Sequence, residues 1–164
     1  MSRSILTLAL VALVTLASCT DRFGGPVAGG AGVAGAGSPS DPASPAYFQQ
    51  AVGDRVLFPV DESTLNAAAR ATLDQQAAWL RANGSYRATI EGHADEQGTR
   101  EYNLALCARR ASSAQQYLVS QGIAANRLST VSFGKERPIE LCSTESCYAQ
   151  NRRAVTVLAT GAGV

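Results

Sequence analysis

The chain has 164 residues, 16% of them charged and 46% hydrophobic, and its 14 basic and 13 acidic side chains leave a formal net charge of +1. So even a balance excludes a general nucleic-acid binder, which carries a basic excess. A partner must be recognised by individually placed charges rather than by an overall field.

Residues 1–18 read as one unit. Arg3 and the free amino terminus supply positive charge, and residues 5–16 form an apolar run of 12. A permanent bilayer-crossing helix needs about 20 apolar residues, whereas this length suits the centre of a secretory signal. Leu16-Ala17-Ser18-Cys19 follows at once. It resembles the lipobox of bacterial lipoproteins, which implies cleavage before Cys19 and acylation of its thiol. An ordinary signal or an uncleaved anchor is the plainer alternative. Two or three acyl chains anchor firmly, at about 0.8 kcal/mol per buried methylene. Lipoproteins of the enteric type held in the inner membrane carry Asp after the acylated Cys; Thr20 stands here, so the resemblance implies the outer membrane, with the head in the periplasm.

Residues 19–46 form the next expected unit, a tether rich in Gly, Ala, Pro and Ser with almost no large apolar side chains. Such a segment cannot offset the entropy of ordering itself, and about 27 flexible residues reach roughly 25–30 Å. The expected folded domain is 47–160, a size that buries a single adequate core, with 161–164 as a short tail. Residues 55–58 read as a strand. Ser63 is placed to cap a helix running to about residue 82, with Leu65, Ala69, Leu73 and Leu80 broadly on one side. Residues 87–91 alternate as a second strand. Gly92 to Gly98 bracket a polar turn, and Thr99 is placed to cap a helix over about 100–120 that Gly122 stops. Residues 128–133 and, after a long loop, 154–158 complete the set. The order β-α-β-α-β-β predicts an α+β two-layer sandwich, helices on one face of a mixed four-stranded sheet.

Charged and polar groups concentrate where the second strand gives way to the second long helix. Asp95 lies in the turn just before that helix, while Asn103 and Arg110, seven residues apart, share a helix face with Thr99 close by. An acid in the loop and a guanidinium further along suit a small ligand bearing both an ammonium and a carboxylate, since Arg grips carboxylates bidentately. Asp61, after the first strand, joins them if the two strands end at the same edge.

Gly92-His93-Ala94-Asp95-Glu96-Gln97-Gly98-Thr99, Glu101-Tyr102-Asn103, Arg109-Arg110-Ala111, Phe133-Gly134-Lys135-Glu136-Arg137-Pro138 and Asn151-Arg152-Arg153-Ala154-Val155 together resemble the OmpA-like C-terminal domain family, most closely its lipoprotein branch that works in the Tol–Pal system. The resemblance covers roughly 52–160. It implies a non-catalytic module that holds peptidoglycan through the diaminopimelate of the stem peptide. Asp61, Asp95 and Arg110 are its implied binding residues, and Val60, Ala94, Glu96, Gln97, Thr99, Asn103 and Leu106 shape or support the pocket. His93, Asn151 and Arg152 match the motifs as ligand contacts or braces. Pro59 departs from the family's usual first-strand motif. The resemblance further implies the propeller protein TolB as a partner competing with the wall, and no cofactor or metal.

Blander roles stand beside these. Arg110 pairs with Glu101 or Asp95 as a brace, Asp95 or Asp61 serves as a turn or cap carboxylate, and 135–137 is a solvated loop. Cys107 reads as a buried thiol, and Cys142 and Cys147, in an oxidising compartment, as a disulfide. A wall-modifying enzyme is the rival class, but no convincing nucleophile or metal set accompanies Asp61, Asp95 and Glu96. A related wall-binding lipoprotein outside the Tol–Pal system is the nearer alternative.

Overall fold

The computed structural model describes residues 37–160, and packing starts before the expected domain boundary at 47. The Trp79 indole N–H donates to the Pro42 carbonyl across 2.7 Å, and Ser44 and Ala46 are buried. Ser44 caps α1 (Pro45–Tyr47), which runs into a π-helical turn, Phe48–Gly53. Phe48 is wholly buried, with its ring 4.9 Å from that of Trp79. One large apolar pair, separated in sequence, therefore draws the end of the Pro/Ser-rich stretch onto the domain, which composition alone does not reveal. Residues 19–36 of the expected tether with Cys19, the signal and the 161–164 tail lie outside the described residues.

Four strands, β1 (Arg55–Leu57), β2 (Tyr86–His93), β3 (Leu128–Gly134) and β4 (Arg153–Thr160), form one sheet in the order β1-β4-β2-β3. β2 and β3 are parallel, while β4 runs antiparallel to both its neighbours. The sheet is mixed, with helices α2 (Ala67–Ala82) and α3 (Arg100–Ser120) against one face, as the pattern of elements predicts. Ala88 and Ile90 of β2, at period two, meet Leu73, Ala77 and Leu80 of α2 and Ala111, Ala114 and Leu118 of α3 in the core. Joining parallel β2 and β3 requires a crossover, which α3 provides. At Gly92 a β-carbon would collide with the Cys107 carbonyl of α3, so glycine sets how closely strand and helix approach.

Two local expectations are corrected. Helix α2 is capped not by Ser63 but by Asn66, whose side-chain oxygen accepts from the Ala69 N–H at 2.8 Å. Asn is as good a cap as Ser, and Leu65, which a Ser63 cap would have placed inside the helix, instead precedes it with its carbonyl accepting from Arg70 Nε at 3.1 Å. The long loop before β4 contains a short helix, α4 (Glu145–Asn151), of which only Cys147 and Asn151 are buried. So slight an apolar face leaves no periodic signal. Among the described residues no helix is long and apolar enough to cross a membrane.

Candidate functional site

β2 ends at His93, and the turn that follows begins the first wall of a pocket of about 170 Å³. Thr99 caps α3 by accepting from the Tyr102 N–H at 3.2 Å, and Asn103 donates from its amide to the Gln97 carbonyl at 2.6 Å, so the turn is tied to the first helical turn at two points. Gly98, with φ of +85°, allows the chain to enter the helix here. Asp95 is 7% exposed; one carboxylate oxygen accepts from the Gln97 N–H at 3.1 Å and the other from Arg152 Nη1 at 3.0 Å.

Arg110 rises from α3 and has no exposed surface. Its Nε donates to the Glu62 carbonyl at 2.7 Å, Nη1 to His93 O at 3.2 Å and Nη2 to Pro59 O at 3.0 Å, with the Phe58 ring centred 5.2 Å from the guanidinium carbon. Burial lowers its pKa, but the guanidinium stays charged. The expected brace to Glu101 or Asp95 is replaced by one to backbone carbonyls, which ties the 59–62 loop to α3. Two of its five N–H groups serve that purpose and a third holds the end of β2 at His93, and the residue still lines the pocket.

Asp61 completes the site from that loop. It is the only non-glycine with positive φ (62°) among the described residues, a conformation that Asp tolerates better than most residues. The Tyr102 hydroxyl donates to Asp61 Oδ1, which raises the tyrosine pKa. Val60, Ala94 and Leu106 supply apolar lining. Arg152, 5% exposed, stands opposite Arg110 and binds Asp95, Glu145 and the Phe58 carbonyl. Burial opposes its charge, but hydrogen bonds to Glu145 and then Asp95 outweigh that and raise its pKa. The pocket thus holds two carboxylates and two guanidinium groups around an apolar middle, an arrangement that can receive both ends of a zwitterion.

The structure therefore brings Val60, Asp61, Ala94, Asp95, Gln97, Asn103, Leu106, Arg110 and Arg152 to one cavity. It does not bring Glu96 there: that carboxylate accepts from the Tyr148 hydroxyl at 2.7 Å and Ser143 at 2.9 Å, facing the α4 side. Thr99 acts as a cap. Asn151 accepts from the Ile139 and Glu140 N–H groups and so braces the loop before α4. His93 is buried behind the pocket, its ring 5.5 Å from that of Phe133, with neither nitrogen hydrogen-bonded and Glu91 Oε2 3.4 Å away. Burial foremost, then Arg153 and Arg137, lower its pKa to about 4. Lys135 is not merely solvated, since it donates to the Glu96 and Gly98 carbonyls and pins the turn. Cys107 is buried, and burial pushes its thiol up to about 11. Cys142 and Cys147 are disulfide-bonded, with Cα atoms 5.8 Å apart. Among the described residues no group of three or more His, Cys, Asp or Glu side chains could hold a metal ion.

Sequence reasoning passed over Tyr102 and Gly98 as pocket residues. The signal for Tyr102 was present: Tyr102, Leu106 and Arg110 recur every four residues along one side of α3.

A family model of the OmpA family matches residues 57–152. The peptidoglycan-associated lipoprotein of Rhizobium meliloti is 51% identical over 99% of this chain and 91% of its own length, and that of Mesorhizobium japonicum 48% identical over 99% and 96%. The crystal structure of the peptidoglycan-associated lipoprotein from Burkholderia pseudomallei superposes with a TM-score of 0.67 at 34% identity, covering 73% of this chain and all of that one. The C-terminal domain of Helicobacter pylori MotB, at 21% identity and a TM-score of 0.62, shares the fold alone. The chain belongs to the OmpA family, in the group of peptidoglycan-associated lipoproteins.

Proposed function

We propose that this protein is a non-catalytic outer-membrane lipoprotein that binds peptidoglycan through the diaminopimelate of the stem peptide and so links the membrane to the wall. The observation that carries this reading is the single small cavity in which Asp61, Asp95, Arg110 and Arg152 converge. Diaminopimelate carries an ammonium and a carboxylate at each end. Asp61 and the free lone pairs of Asp95 accept from an ammonium, the Arg110 guanidinium attracts a carboxylate, and N–H groups in the 95–98 turn and the first turn of α3 add donors. Val60 and Leu106 bracket the methylene chain between the two ends.

In this reading residues 1–18 are a cleaved signal, Cys19 is acylated, the chain up to about Pro42 spans from membrane to head, and 161–164 is a tail. The relatives' names support the lipid anchor and the wall as ligand. TolB is the proposed protein partner, competing with the wall for the surface around the pocket.

Cosedimentation with purified peptidoglycan tests the site. Asp61→Ala and Asp95→Ala should each lower the bound fraction at least tenfold while circular dichroism stays native. A well-folded double variant that still sediments normally rejects the assignment. Competition is checked by binding to cognate TolB with and without saturating muropeptide; unchanged affinity removes that part.

A further inference from the structure

Beyond the pocket, the same side of α3 continues into a wide, shallow groove of about 540 Å³ between α3 and the chain that leads into α2. Its lining includes Ser63, Thr64, Arg70, Ser113, Gln116 and Tyr117. Tyr102, Leu106 and Arg110 face the pocket, and Ser113, Tyr117 and Ser120 carry that stripe on at three- and four-residue spacing into the groove. On the other bank, Ser63 follows the pocket's Asp61 by two residues. Pocket and groove are therefore successive sections of one track along a helix, their centres about ten residues or ~15 Å apart at 1.5 Å per residue.

We propose that this groove is a saccharide subsite that holds the amino-sugar chain from which the stem peptide hangs; the inference rests on the wall-binding reading of the pocket. The hydroxyls of Ser63, Thr64 and Ser113 hydrogen-bond to no other described residue, and Arg70 commits only its Nε, to the Leu65 carbonyl at 3.1 Å. The half-buried Tyr117 is held by its hydroxyl, which donates to Asp74 Oδ1 at 2.9 Å. Uncommitted neutral donors and acceptors beside one fixed amphipathic ring match a pyranose, whose hydroxyls and N-acetyl group need partners and whose ring face is apolar. None of the exposed large hydrophobic side chains among the described residues lines this groove, so it lacks the contiguous apolar patch that marks a protein-docking surface. The spacing also fits. Two stem residues and a lactyl link separate the diamino acid from its sugar, and three extended units reach about 10 Å, with the sugar ring beyond.

Calorimetric titration of the full-length chain in detergent, with a disaccharide-tripeptide muropeptide and with the same diaminopimelate tripeptide freed of sugar, tests this. The sugar-bearing ligand should bind about tenfold more tightly. Arg70→Ala combined with Gln116→Ala, both at exposed positions, should erase that ratio and leave tripeptide affinity and the melting temperature unchanged. Equal affinities for the two ligands in the wild type overturn the saccharide subsite while the pocket assignment stands. Binding of neither ligand overturns both. If the double variant weakens TolB binding and leaves the ratio intact, the groove is a protein surface and the inference falls.

Discussion

One wall of the pocket is a single stretch of chain, from Gly92 at the end of β2 to Arg110 in α3, whereas the facing wall combines the 59–62 loop with Arg152, from a segment 94 residues beyond Phe58. The first wall is held by short-range backbone devices: the Thr99 cap, the Asn103–Gln97 tie and the tight approach at Gly92. The second has one backbone bond between its two parts, from the Phe58 N–H to the Arg152 carbonyl at 2.9 Å, and is tied to the first by charged side chains reaching across. Arg110 leaves the near wall to grip carbonyls of the far one, and Arg152 leaves the far wall to grip Asp95 of the near one. Two buried guanidinium groups thus clasp the walls in opposite directions. A pocket for a charged ligand is made from groups that are themselves part of the fold, so removing charge and removing structure become hard to separate.

The largest effect should come from opening a clasp. Arg110→Ala leaves three carbonyls without their donor and should destabilise by about 3–5 kcal/mol in urea unfolding; a loss under about 1 kcal/mol means the far wall has other support. Next comes acid. His93 is kept neutral in the fold with a pKa near 4, against 6.5 when unfolded. Between those values the unfolded chain binds a proton that the folded chain refuses. Stability is therefore full above pH 6.5 and declines toward pH 4, by about 3 kcal/mol in all. His93 is the only histidine, so one NMR titration reads its midpoint; a value near 6.5 removes this contribution.

Replacing Cys142 and Cys147 with Ser acts on the α4 side, which backs Arg152 through Glu145 and Glu96 through Ser143. Opening so small a ring should cost about 2 kcal/mol by loop entropy, read as a lower melting temperature. It should also loosen the Glu145 partner of Arg152, weakening peptidoglycan cosedimentation several-fold; unaltered binding would show that the clasp stands without its backing. Tyr102→Phe is the mildest change. It removes an exposed hydrogen bond to Asp61 and should leave the melting temperature almost unchanged, while lowering wall binding a few-fold in the same assay.

This contrast also explains what could be read before the fold was known. The near wall was legible because its signals are local: a capping Thr, flanking glycines, and an acid and an arginine at helical spacing. The sheet's make-up followed from the order of elements. The far wall was legible only as separate residues. Asp61 was named, but its distance from Asp95 was open, and Arg152 gave no sign that it would pair with Asp95, since nothing in a linear chain specifies a partner 57 residues away. The Ser63 cap failed for a different reason: Asn66, three residues on, caps as well as Ser, and nothing local in the chain chooses between them. The early packing at Pro42 was hidden because it depends on one indole, that of Trp79.

That indole has a mechanical consequence. Trp79 lies 5.2 Å, ring to ring, from Tyr86 at the first residue of β2, and it holds Pro42, so the incoming chain reaches the head at one end of the strand while the pocket opens at the other. Eight residues of β2 put about 25 Å between those points. Tension applied through the N-terminal chain and resisted at the pocket would run lengthwise down a central strand. Its hydrogen bonds to β3 and β4 would then be stressed together in shear rather than unzipped one by one.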